Sequence, residues 1–182
     1  MAAEPAAYTA ADLKRLLGWL NEELALVDVR GEVYLVGGAV MCLVLDARAS
    51  TRDVDAVFRP TAVIRQAAAR VALRAGVPAT WLNDAVKGFL GARGEFTPWL
   101  SLEHLHVYVA RPEYLLAMKC AAMRLGSEFH DEDDVRFLLR TLNITTVAEA
   151  VAIVTRYFDA AALPAKTRLV LEEILGATDQ ED

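Results

Sequence analysis

Asp53 and Asp55 are the residues of this chain best suited to chemistry. They flank Val54 at the head of an apolar run that ends with Phe58. Alternate residues of a strand face the same way, so the two carboxylates project side by side, about 6–7 Å apart along the chain, while Val54 turns into the core. Hard oxygen ligands at that spacing suit Mg²⁺, which typically takes one or two carboxylates plus substrate phosphates. Upstream, Gly37-Gly38 closes another apolar run. A turn without β-carbons lets backbone N–H groups approach phosphate oxygens, and the helix that follows adds its positive end. Alone, each feature has a plain structural use, since acids start many strands and Gly-Gly makes tight turns. Their order of strand, Gly-Gly, short helix and Asp-x-Asp strand points to a metal-bound nucleoside triphosphate.

Lys119 is the only charged side chain in the stretch YLLAMKCAAM, residues 114–123. A lone lysine in an apolar helix must snorkel to water or meet an anion, and a phosphate or a carboxylate would serve. Arg124, a turn further on, is placed to meet a second anion or solvent. Asp131, Glu132, Asp133 and Asp134 open the next helix, where the helix dipole favours acids. One of them is available to pair with Lys119 or to act as a base, and Asp134 lies nearest the apolar face. His104 and His106 share one strand face but lack a third ligand at zinc spacing. No Gly-Lys-Ser/Thr follows the glycine pair, so it is not a P-loop. Ser50, Ser101 and Ser127 lack the context of an activated nucleophile.

These residues need elements to hold them. Leu13, Leu16, Leu17, Leu20 and Leu24 recur at helical spacing and predict a helix over 12–26, started by Asp12. Strands are expected at 33–36 and 54–58, with a short buried helix between them at 39–45. A helix over 61–75 ends at Gly76 and Pro78. A short strand is expected at 79–81, a loop with a helical turn at 82–93, and a strand at 102–110. Helices then follow alone. One runs over 113–125 behind Pro112, one over 131–142, one from the Thr146/Glu149 capping box to about Tyr157, and one over 164–175. The tail from Gly176 is acidic. The pattern predicts an α+β protein, with an α/β core and N-terminal helix at 1–111 and a helical lobe packed on it at 112–182.

The bulk properties suit such a fold. The chain has 182 residues, 55% of them hydrophobic, with no run of about 18 apolar residues that would span a membrane. Cys42 and Cys120 sit in apolar surroundings, and no basic, apolar leader opens the chain. Both features fit a cytoplasmic location. The net charge of −6 argues against broad nucleic-acid binding. Residues 48–94 nevertheless carry +5, leaving −11 for the remainder. No aromatic-basic platform is legible.

With LVGGAV at 35–40 and RDVDAVF at 52–58, the chain resembles the DNA polymerase β-like nucleotidyltransferase superfamily. The 14-residue spacer between the motifs is slightly long for it. PEYLLAMKCAAMRLGSEFHDEDDVRFLL, from Pro112, is similar to the Lys-x-x-Ala, Arg, Asp-x-x-Asp segment of AbiEii/MenA-type toxin nucleotidyltransferases. WLNDAVKGF, residues 81–89, resembles their uncharacterised bacterial relatives more closely still. The resemblance implies a nucleotidyltransferase core that moves a nucleoside monophosphate from an NTP to a hydroxyl. It implies Mg²⁺ on Asp53 and Asp55, and a nucleotide held by Gly37, Gly38, Arg52, Lys119 and Arg124. Catalytic work would fall to Asp53, Asp55, Lys119 and Asp134, with Asp131 as the other candidate for the late acid. The acceptor implied is RNA, such as a tRNA 3′ end, or a protein, with an antitoxin as a partner. The superfamily often carries a third carboxylate on a later strand. On the strand expected at 102–110 only Glu103 is acidic, and His104 and His106 fill the likely places. The alternative is a weak or inactive member that binds a nucleotide or a partner without turnover.

Overall fold

The computed structural model describes residues 7–90, 93–124 and 130–176. Leu125, Gly91, Ser127, the first residues of the chain and the acidic tail beyond Gly176 lie outside them. The fold is mixed α+β, with a small mixed sheet and seven α-helices among the described residues. The chain divides into two compact units. One comprises Met1–Gly88 and Phe96–Ala110, the other Phe89–Glu95 and Arg111–Asp182.

In the first unit, β1 (Tyr8–Thr9) leads into α1 (Ala10–Ala25). Thr9 is the N-cap and Asp12 the third helical residue of a capping box, so Asp12 secures the helix start without being its first residue. β2 (Gly31–Leu35), α2 (Gly37–Leu43), β3 (Ser50–Thr51), β4 (Val54–Arg59), α3 (Thr61–Ala75), β5 (Leu82–Asn83), β6 (Phe96–Ser101) and β7 (Leu105–Ala110) follow. Five strands make one sheet in the order β5-β4-β2-β7-β6, and β1 pairs with β3 separately. β2 runs antiparallel to β4 and parallel to β7.

Strand alternation sorts the sheet into two faces. Val33, Leu35, Ala56, Phe58, Leu105 and Val107 are buried on one. α1 and α3 cover that face, and a β-carbon on Gly31 would strike Leu24 and Ile64 from those helices, at 2.9 and 3.0 Å. The other face carries Glu32, Tyr34, Asp55, Val57, His106 and Tyr108, all half-buried. Tyr34 and Tyr108 are direct cross-strand neighbours, with rings stacked at 4.7 Å.

Two differences from the expected elements have clear causes. Trp81 was expected in a strand, but it is buried, with its indole N–H donating to the Ala68 carbonyl at 3.0 Å. The strand β5 begins one residue later. β6 went unpredicted because Pro98 reads as a strand breaker and a register shift between Pro98 and Leu100 spoils the alternation. β6 is an edge strand, where both are tolerated.

The second unit contains α4 (Pro112–Ala121), α5 (Asp131–Thr141), α6 (Val147–Tyr157) and α7 (Ala165–Gly176). α4 packs against α5 and α6, and α6 against α7. Tyr114, Leu116, Val135, Leu138, Val154 and Leu171 are buried in its core. Thr167, also buried, donates to the Cys120 carbonyl at 2.9 Å and ties α7 to α4. Among the described residues no helix is long and apolar enough to cross a membrane.

Candidate functional site

The antiparallel pairing of β2 and β4 brings the end of one strand beside the start of the other. Leu35 pairs with Ala56, and one step on the Val36 N–H donates to the Asp55 carbonyl at 3.0 Å. The next residue is Gly37. The glycine corner and the second aspartate are therefore neighbours by register, although 17 residues separate them in sequence.

The two glycines are required for different reasons. Gly37 has φ +61°, a left-handed conformation that L side chains adopt at a cost. The Asp55 Oδ2 atom lies 3.4 Å from where its β-carbon would be. Gly38 has ordinary helical geometry but no room. A β-carbon there would stand 2.6 Å from Thr51 Oγ1 and 3.2 Å from Arg48 Nη1.

Asp53 sits one residue ahead of β4 and is exposed, while Asp55 is half-buried. Thr51 holds this approach by donating its hydroxyl to the Asp53 carbonyl at 3.1 Å. Thr51 is itself held by β1, where it pairs with Tyr8. Burial raises the Tyr8 phenol above its ordinary value, and the Asp53 charge raises it further. On the other side of β4, Asn83 of β5 is the register partner of Asp55. Arg52 is exposed beside Asp53.

Two carboxylates stand at the head of β4, and Gly37 contributes no side chain against Asp55. Among the described residues no group of three or more His, Cys, Asp or Glu gathers to hold a metal. Two carboxylates suffice for Mg²⁺ when phosphate oxygens complete its shell.

The expected third carboxylate does not come from the strand that carries the histidines. β7 neighbours β2 and β6, and β5 is the strand beside β4 on its free side. Glu103 and His104 precede β7, and the His104 backbone N–H donates to Asn21 at 2.9 Å. His106 is hydrogen-bonded to Ser101 at 2.8 Å. The position next to Asp55 belongs to the neutral Asn83. Asp84, the following residue, accepts from Arg65 at 2.8 Å and pairs with Lys87 at 2.6 Å.

Lys119, Arg124, Asp131 and Asp134 meet in the second unit. The Lys119 ammonium lies 2.8 Å from both Asp131 and Asp134, whose side chains are 5% and 3% exposed. Arg124 donates to Asp131 through its backbone N–H at 3.1 Å and its Nε at 2.9 Å. Burial pushes the Asp131 carboxyl upward, but hydrogen bonds from Arg124 and Lys119 outweigh it and hold the group down at about 2. Two cations and two anions form a neutral cluster, as a buried charge requires.

Several cations of the basic segment are paired with carboxylates. Arg70 pairs with Glu23 and Arg74 with Glu22, both at 2.5 Å, so α1 returns charge to α3. Arg65, Arg70, Arg74 and Lys87 of that segment thus carry carboxylate partners.

Sequence reasoning singled out neither Arg48, Thr51, Tyr8 nor Asn83. Asn83 stood inside the quoted WLNDAVKGF, and only strand pairing assigns it a neighbour. Two-residue strands such as β1 and β3 carry no periodicity to find them by. Comparison with protein-family models, curated proteins and solved structures finds no match.

Proposed function

We propose that this protein is an Mg²⁺-dependent nucleotidyltransferase that moves a nucleoside monophosphate from an NTP to a hydroxyl. One observation carries the reading: the Asp55 carboxylate lies against the Gly37 corner, with Asp53 two residues ahead and exposed just before the strand. In the reaction the acceptor oxygen bonds to the α-phosphorus, the bond to pyrophosphate breaks, and the hydroxyl proton leaves to a base or to water. Asp53 and Asp55 would hold the ion, which when bound neutralises phosphate charge. The side-chain-free corner would let the triphosphate approach the backbone. The cluster of Lys119 with Asp131 and Asp134 then has a structural task in the second unit.

The acceptor proposed is RNA, such as a tRNA 3′ end, ahead of a protein, and an antitoxin partner belongs to the same reading. Tyr34, Tyr108 and Phe96 form an aromatic row on the sheet, with Arg59 5.9 Å above the Tyr34 ring. Single-stranded nucleic acid uses surfaces of that composition. A second reading, a binding module without turnover, is favoured by Asn83 beside Asp55 and by the engagement of Lys119. A general base contributes about 10²–10⁴-fold, so its loss would leave binding and little transfer.

The test is transfer from labelled NTPs to total RNA in the presence of Mg²⁺, with binding followed by calorimetry. Transfer by the wild type, lost in Asp53→Asn, is expected. Binding without transfer would select the module, and absence of both would reject the nucleotide site.

A further inference from the structure

We infer that Thr51 is a positioning residue for Asp53, an inference that rests on the nucleotidyltransferase reading above for what Asp53 does. Its one hydroxyl fixes the backbone at the acid and packs on the glycine corner at the same time. Thr51 is buried, at 6% exposed. A buried hydroxyl needs a partner, and this one donates to the Asp53 carbonyl at 3.1 Å. The same oxygen lies 2.6 Å from the place a Gly38 β-carbon would take, so it stands over the corner with no side chain between. A single atom thus touches both halves of the site.

Asp53 needs such a hold, because it is exposed and lies just outside β4. On its C-terminal side Val54 is buried and donates its N–H to the Trp81 carbonyl at 2.8 Å. On its N-terminal side Arg52 is exposed, so the next fixed point is Thr51. Thr51 is held in turn by β1, where its partner Tyr8 is also buried. Residues directly opposite in an antiparallel pair have β-carbons about 4.5–5.5 Å apart, so the Tyr8 and Thr51 side chains stand side by side. Thr9, the next residue of β1, is the N-cap of α1. The start of α1, the β1–β3 ladder and the backbone of Asp53 therefore form one linked series, with the Thr51 hydroxyl as its last link.

The test compares the full-length wild type with Thr51→Ser, which keeps the hydroxyl, and Thr51→Ala, which removes it without adding bulk. Thermal melts fix a temperature at which the proteins are folded. Backbone amide relaxation by NMR reads the order of Asp53, and transfer from labelled NTPs to total RNA is resolved into kcat and KM. In the wild type the Asp53 amide should be as rigid as the strand behind it, with an order parameter of about 0.85, and Thr51→Ala should lower it to about 0.6 or below. In the same variant kcat should fall by about tenfold or more at an unchanged KM for NTP, since misplacing a reacting group by about 1 Å can cost about a hundredfold. Thr51→Ser should restore both readouts. A wild-type Asp53 already mobile at about 0.6 overturns the inference without any variant having to fold. So does Thr51→Ala with wild-type order, or Thr51→Ser impaired as fully as Thr51→Ala, which would assign the effect to the methyl group. Transfer at equal rates by all three proteins overturns the positioning role and leaves the transferase reading standing. Order at Asp53 that depends on the hydroxyl, with no transfer by the wild type, upholds the hold of Thr51 on Asp53 and sinks the enzyme.

Discussion

Asp53 and Asp55 in the first unit, and Asp131 and Asp134 in the second, are pairs of the same residue in opposite surroundings. Asp131 and Asp134 are almost wholly withdrawn from water and share one ammonium, with Arg124 added to Asp131. Asp53 is exposed and Asp55 half-buried, at the start of a strand and against a glycine. The first arrangement closes on itself. Its charges are balanced, and removing one partner strands the others where solvation is weak. The second places one acid in water and the other half-buried at the head of a strand. Spacing contributes to the difference. Acids at i and i+3 in a helix's first turn lie on one face and can share a partner on a neighbouring helix, whereas acids at the head of a strand have only strand neighbours and turns beside them.

The comparison can be broken most directly at Lys119. Lys119→Met leaves Asp131 and Asp134 buried together, so unfolding in denaturant should show a loss of about 3–5 kcal/mol. A change below about 1 kcal/mol would mean that the cluster does not hold the second unit together. Acid should act on the same cluster by a milder route. The Asp131 carboxyl is held at about 2, below its unfolded value of about 3.9, so its contribution is complete above that value and drains as pH falls towards 2. Denaturation midpoints between pH 5 and pH 2 should fall across that window, and Asp131→Asn should flatten the fall.

The glycine corner sharpens the other side. Gly38→Ala presses a methyl group on Thr51, a short β-branched side chain that cannot swing away, and should cost about 1–3 kcal/mol in thermal melts. The smallest effect belongs to Asp53→Asn. An exposed strand-head acid should change stability by less than about 0.5 kcal/mol while transfer is lost. A large destabilisation would place Asp53 with Asp131 and Asp134 as a structural acid.

Much of this molecule is readable from local pattern. The leucine spacing of α1, the breaks around α3, Pro112 at the start of α4 and the Thr146/Glu149 capping box all act within a few residues, and the structure has them where the chain predicts them. Asp53-Val54-Asp55 and Gly37-Gly38 are visible for the same reason, because side-chain type and short spacing carry their meaning. Lys119 was expected to snorkel to water or to meet an anion, a phosphate or one of the acids of residues 131–134, and the fold gives it Asp131 and Asp134 jointly.

What lay beyond the sequence is everything set by register. Antiparallel pairing of β2 with β4 puts Asp55 at Gly37, and parallel pairing of β5 with β4 puts Asn83 beside Asp55. The two-residue ladder of β1 and β3 anchors Thr51, and with Arg48 it fills the space over Gly38. Residue order determines which local elements form, because their hydrogen bonds close within a turn or along one strand. It does not determine which strands become neighbours, since that choice depends on how whole hydrophobic faces are buried against α1 and α3.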